Sequence, residues 1–250
     1  MKKSTQANHK ILFPSLMALV FTVAANAPGD VIFTQNLDNP ANPVYQTYAL
    51  DDDGNAESNR GRDLRADGSN SRAPGQTFQL SQDIVVQSLW VHYNPLDTTN
   101  TRTFTMAIYE VDDIKDSGFT AGDLMKSVDI TTTLTSTGGE FRFFSVEFTG
   151  TDVFTLGARG DGETDPAGYV LALISDDNTS NFFNLRGNSV ANFSYGDGQA
   201  YNDTGLGGES VNIPSTVEAW NFAIIPEPST LVLLGLTGIA AVLGLRRRRA

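Results

Sequence analysis

In the stretch RTFTMAIYEV, residues 102–111, Phe104, Met106 and Ile108 fall at alternate positions, with Thr103, Thr105 and Ala107 between them. A period of two sends alternate side chains to opposite faces of a strand, whereas a helix would smear them around its circumference. The same spacing recurs in EFRFFSVEFTG, where Phe144, Val146 and Phe148 oppose Phe143, Ser145 and Glu147. It recurs again in EAWNFAII, where Trp220, Phe222 and Ile224 alternate with Asn221 and Ala223. GYVLALIS, residues 168–175, is almost wholly apolar and reads as a central strand covered on both faces.

Further strands are expected over Val31–Gln35, Val44–Leu50, Gln76–Leu80, Ile84–Tyr93, Leu124–Leu134, Asn181–Leu185 and Ala191–Tyr195. Turn-forming clusters separate them: DDDGN, NPLDTTN, DDIKDSG, TSTGGE, GARGDGETDPAG and SYGDG. Residues 51–74 are polar and poor in apolar side chains, and read as one long exposed loop. No helical period appears between the two ends of the chain. Ten to twelve short strands in about 200 residues, with no repeat, predict an all-β fold: an antiparallel β-sandwich, jelly-roll-like, spanning 26–224.

Charge and cysteine usage narrow the function classes. Between Asn26 and Ile225 there are 10 basic and 28 acidic residues, a net of −18. So negative a body repels phosphate backbones and anionic lipid, so no nucleic-acid partner is expected. The chain has no cysteine, which excludes disulfides, zinc–thiolate sites and a thiol nucleophile.

The two ends read as addressing segments rather than as parts of the fold. Lys2, Lys3 and Lys10 precede the apolar run Ile11–Ala24, and small residues follow. This is the order of a secretory signal peptide, residues 1–25, with cleavage expected after Ala25 because Pro28 hinders the alternative after Ala27. Signal peptidase and the secretion machinery are the implied partners. At the other end, Ser229–Leu245 are 17 residues without a charge, followed by Arg246, Arg247, Arg248 and Arg249. As a helix, 229–245 extends about 25 Å, enough for a transmembrane span through an inner membrane. Four arginines beside it hold that end in the cytoplasm, which leaves the acidic body outside, as the leading signal also requires.

Pro226 and Pro228 fix φ and lack an N–H, so the residues just before the span are expected to be extended. Pro-Glu-Pro at Pro226, Glu227 and Pro228, then an apolar span, then an arginine cluster resembles the PEP-CTERM sorting signal over residues 225–250. That tail is found on exported proteins of bacteria that make exopolysaccharide. The resemblance implies that a membrane enzyme, exosortase, reads Pro226, Glu227 and Pro228. The body is loosely similar to the all-β ectodomains of choice-of-anchor type, through QTFQL, VQSLWVHY, FTMAIYEV, FFSVEFTG and YVLAL in that order.

Candidate chemistry in the body is sparse. His9 falls in the leader, so His92 is the sole histidine of 26–225, and it shares a strand face with Ser88 and Trp90. A surface or half-buried strand histidine is the default, and no catalytic residue is assigned. Acidic turns raise a structural calcium ion as the one metal to consider, at Asp51, Asp53 and Asn55 or at Asp112 and Asp116. The second set departs from an EF-type loop, with Ile114 and Ser117 where a ligand and a glycine belong. No other cofactor is expected. For sugar binding, SYGDGQAYND gathers Tyr195, Asp197, Tyr201 and Asn202 in one loop, and Trp90, Tyr93 and Trp220 are further aromatics. The sequence therefore reads as an exported, non-enzymatic surface or matrix protein, structural or adhesive in an exopolysaccharide layer. A lectin-like module is the main alternative and a polysaccharide hydrolase a lesser one.

Overall fold

A computed structural model describes residues 29–51, 53, 55–64, 72–115, 121–159, 167–175, 182–189, 198–206, 212–215 and 217–226. The signal peptide, the span at 229–245 and the arginine cluster lie outside these residues, as does the expected strand Ala191–Tyr195. Among the described residues no helix is long and apolar enough to cross a membrane, and the one helical segment is a 3-10 turn at Gly150–Asp152.

Strands β1 (Val31–Leu37), β2 (Tyr45–Gln46), β3 (Arg60–Leu64), β4 (Gly75–Phe78), β5 (Ile84–Pro95), β6 (Arg102–Val111) and β7 (Ala121–Thr132) form the first half. The second half comprises β8 (Arg142–Phe148), β9 (Phe154–Leu156), β10 (Gly168–Ser175), β11 (Phe183–Ser189), β12 (Ala200–Tyr201), β13 (Val217–Trp220) and β14 (Phe222–Pro226). They build two antiparallel sheets. The smaller has the order β12-β4-β10-β6-β7, and the larger runs β1-β8-β5-β11-β13 with β2, β3, β9 and β14 joined to it. GYVLALIS is indeed central, paired with β4 on one edge and β6 on the other. The long β5 is the hub of the larger sheet, paired with β8 and β9 along one edge and β14 and β11 along the other.

Period two decides what is buried. Phe104, Met106 and Ile108 of the smaller sheet enter the same core cluster as Leu89, Val91, Tyr93, Phe144, Val146 and Phe148 of the larger one. The rings of Phe104 and Phe144 meet across the layer at 5.7 Å, and Phe144 also touches Phe33, Tyr93 and Phe183. At the other end Trp220 ties the sheets by hydrogen bonds. Its Nε1 donates to the Tyr201 carbonyl and its backbone N–H to Gln76 Oε1, each at 2.8 Å. Gly187 makes that placement possible, because a Cβ there would stand 2.7 Å from the Trp220 ring.

Several expectations are corrected. Residues 51–74 are not one exposed loop: they contain β3, which pairs with β11, and Leu64 and Ala73 are buried. The charge of RGRDL concealed a strand because β3 is an edge, where charged side chains guard exposed backbone. The strand expected at Asn181–Leu185 runs instead over Phe183–Ser189, and that at Leu124–Leu134 starts earlier and stops at Thr132. The strand expected at Val44–Leu50 shrinks to Tyr45–Gln46. EAWNFAII is two strands, since the chain switches partner at Asn221, from β11 to β5.

Truncating Phe144 to Ala removes the ring at the centre of this cluster. We expect a loss of about 3–5 kcal/mol in unfolding free energy, measured by urea denaturation. A loss below about 1 kcal/mol contradicts the shared core.

Candidate functional site: a polar groove and the sorting tail

The outer face of the larger sheet carries Ser88, Trp90 and His92 on β5, opposite Glu147, Ser145 and Phe143 on β8. The chain entering and leaving β2, at residues 37–39 and 55–59, borders this face as a strap. Tyr48 packs its ring on Phe143 at 5.4 Å, within a small cluster that also takes in Leu37, Ala56 and Trp90. Between this strap and the sheet lies a groove of about 760 Å³, lined by residues 37–39, 51, 55–59 and 139–143 together with His92. A second hollow of about 450 Å³ shares Leu37, Asp38 and Asn39 with it and continues along Ser88, Trp90, Ser145 and Glu147.

His92 sits where the groove meets the interior and is 3% exposed, so it is a buried histidine rather than a surface one. Its ring stacks on Phe143 at 4.6 Å, with the planes 13° apart. Nδ1 accepts from Asn221 Nδ2 at 3.1 Å, and the ring also hydrogen-bonds the Phe141 backbone. Burial, reinforced by the nearby Arg186 charge, pushes its pKa from 6.5 down to about 3, against the Phe141 hydrogen bond. The imidazole is therefore neutral at ordinary pH, with both nitrogens engaged. That is the chemistry of a structural group and not of a proton shuttle.

The rim is charged and mostly self-satisfied. Arg142 bridges Asp38 and Glu140. Asp51 Oδ1 accepts from the backbone N–H groups of Asp53 and Asn55, at 3.0 and 2.7 Å, and so closes its own turn. Asn39 Oδ1 holds the Ala56 N–H at 3.2 Å, and Asn59 Oδ1 holds that of Ser189 at 2.9 Å. Arg186 lays its guanidinium 3.9 Å from the centre of the Phe141 ring and donates Nε to Ser58 Oγ at 3.0 Å. Burial lowers the Arg186 pKa. Phe141 itself is 42% exposed.

The residues singled out in the sequence fare unevenly. Tyr201 is fully buried, in a cluster with Val111, Ile114 and Val170, and offers no ring face to a ligand. Tyr93 and Trp220 are likewise buried, with the Tyr93 hydroxyl donating to Asn36 Oδ1 at 2.8 Å. Asn202 Nδ2 donates to Asn212 Oδ1 at 3.0 Å. Tyr195, Asp197 and Asp116 lie outside the described residues, as do Ala25, Glu227, Pro228 and Arg246 to Arg249. Asp51, Asp53 and Asn55 share one turn, and Asp112 follows β6. Among the described residues, no three Asp, Glu or His side chains stand where they could hold a metal ion. Asp51, Asn55, Ser88, Trp90 and His92 stand out singly in the sequence, but not as one groove, because the lining comes from distant segments of the chain.

Pro226 lies at the end of β14, half-buried, with Ile225 opposite Ser88. The last strand thus runs straight into Pro-Glu-Pro. Residues 225–249 match the PEP-CTERM protein-sorting motif. The PEP-CTERM match implies an exported, membrane-anchored protein that exosortase, a membrane enzyme, processes. No curated protein and no solved structure matches the chain.

The buried imidazole of His92 couples stability to pH. Its pKa is lower in the folded state than the 6.5 of the unfolded chain, so its contribution is intact above pH 6.5 and lost as pH falls toward 3. From this group alone, unfolding free energy should drop by up to about 1.4 kcal/mol per pH unit across that window. His92→Gln should flatten the profile between pH 6.5 and 4.5, read by urea denaturation at each pH. An unchanged slope refutes the neutral buried imidazole.

Proposed function

We propose that this is an exported bacterial surface or matrix protein, structural or adhesive in an exopolysaccharide layer. Its body is a jelly-roll-like β-sandwich delivered by its C-terminal tail. The PEP-CTERM match at 225–249 carries the reading, because it begins on the last two residues of the folded sheet. The apolar stretch 229–245 serves as the span, the arginines after it as the cytoplasmic stop, and Pro226–Pro228 as the element read by exosortase. Residues 1–25 serve as the signal peptide, removed after Ala25. Ectodomain and tail therefore divide the work: the tail delivers and anchors, and the body acts outside.

Two observations support a body without enzymatic activity. The sole histidine of 26–225 is buried, neutral and hydrogen-bonded through both nitrogens. Asp97, whose carboxylate lies well below its usual range, owes this to hydrogen bonds from Asn100 and Thr99 in its own turn. A perturbed acid of that kind is a turn device and not a catalytic one. Two antiparallel sheets feeding one core support the sandwich.

Mass spectrometry of the protein recovered from cells tests the delivery. A new C-terminus close to Pro226–Ser229, absent from cells lacking exosortase, is the expected result. Full-length chain in the cytosol, with the leader still attached, overturns the reading.

A further inference from the structure

From the groove on the outer face of the larger sheet, we infer a binding site for a non-acidic oligosaccharide. This rests on the reading of the protein as one that works in a polysaccharide layer, and it names what the body holds there.

A sugar presents two kinds of surface. Its ring faces are lined with C–H groups and lie flat on aromatic side chains, and its edge is a row of hydroxyls that both donate and accept. The groove offers both. Phe141 is 42% exposed at one end, and half-buried Trp90 stands in the adjoining hollow. Trp90 is held in place because its Nε1 donates to Ser88 Oγ at 2.9 Å and its ring meets that of Phe143 at 6.3 Å. Phe141 is held by the Arg186 guanidinium, 3.9 Å from its ring centre. Both rings are thus pre-oriented, so binding costs little side-chain ordering. Between them the lining is amide, hydroxyl and carboxylate, from Asn55, Glu57, Ser58 and Asn59. The two hollows have the size of small-molecule sites, and their shared wall at 37–39 makes them neighbouring subsites for one chain.

Charge selects among saccharides. The lining of the larger hollow holds Asp38, Asp51, Glu57 and Glu140 against one cation, Arg142, and Arg142 is committed to Asp38 and Glu140. Buried His92 is neutral and adds no positive charge. Uronic acids, sulfated sugars and phosphorylated glycans are repelled, whereas neutral hexoses and glucosamine units are accepted. Glu57 is half-buried in the wall, and no described side chain is paired with its carboxylate; it is the acceptor the site uses for a sugar hydroxyl or ammonium.

The test uses full-length protein purified in detergent and three probes: cellohexaose, a glucosamine hexamer and an oligomannuronate. Trp90 is the half-buried indole and Trp220 is buried, so intrinsic fluorescence reads the groove. Cellohexaose or the glucosamine hexamer should shift the emission and bind in calorimetry, and the oligomannuronate should do neither. Phe141→Ala should weaken binding at least tenfold, Glu57→Gln should weaken the glucosamine hexamer more than cellohexaose, and Leu124→Ala, on another exposed surface, should leave both unchanged. Circular dichroism shows whether each variant is folded, and Trp90→Phe should both abolish the emission shift and weaken binding in calorimetry. Failure of both non-acidic probes to bind at millimolar concentration overturns the proposal. So does equal binding by the oligomannuronate, or full affinity in folded Phe141→Ala. Such a failure with C-terminal processing intact refutes the groove alone. Lost processing with binding intact refutes the delivery reading alone.

Discussion

The larger sheet depends on the hydrogen bonding of one residue, Asn221. Its backbone N–H donates to the Arg186 carbonyl on β11, and its carbonyl accepts from the His92 N–H on β5. Its side-chain amide reaches His92 Nδ1 and the Glu57 carbonyl, and its Oδ1 accepts from Asn188 Nδ2. At this point the chain leaves one strand partner for another, which would strand backbone polar groups in the interior. An amide supplies two donors and an acceptor in one plane, so the Glu57 carbonyl, His92 Nδ1 and Asn188 Nδ2 each find a partner on one fully buried side chain. A carboxylate would lack the donors and an aliphatic side chain would leave up to three groups unpaired, each at about 1–3 kcal/mol.

The junction also explains why the groove has the character it has. By fixing the Glu57 carbonyl, Asn221 pins the strap to the sheet. By engaging His92 Nδ1, it holds the imidazole between the interior and the groove, where burial, with the Arg186 charge nearby, keeps the ring neutral. A protonated His92 would bring a second cation beside Arg186, in a region too dry to screen it.

Period two carried most of what the sequence revealed. The faces of RTFTMAIYEV, EFRFFSVEFTG and the end of β14 were legible because each strand buries one face, and apolar side chains mark which. GYVLALIS was legible because a strand covered on both faces has no polar side. What escaped was structure made by backbone pairing without apolar marking. β3 is held by its pairing with β11 and carries the charges of an edge strand, so its composition resembled a loop. The groove escaped for a related reason: Asp38, Glu57, His92 and Phe141 are brought together only when the strap borders the sheet. The aromatic loop favoured by the sequence instead put Tyr201 into the core, where its ring packs with Val111 and Ile114.

The body and the sorting motif share residues, and this constrains both. Ile225 and Pro226 belong to β14 and also to the matched segment. Proline has no N–H, so Pro226 cannot donate to a further rung and the ladder closes where the motif opens. β14 lies between β5 and β2, with Ala223 opposite both Trp90 and Gln46. Drawing it out to lengthen the tether would break those rungs and uncover Phe222 and Ile224, each at most 1% exposed. At about 1.5–3 kcal/mol for each such side chain, the sheet resists giving up anything before Ile225. An enzyme that engages Pro-Glu-Pro therefore meets it at the foot of a closed sheet, with no linker between, and the folded body sets how deeply residue 226 can enter a cleft.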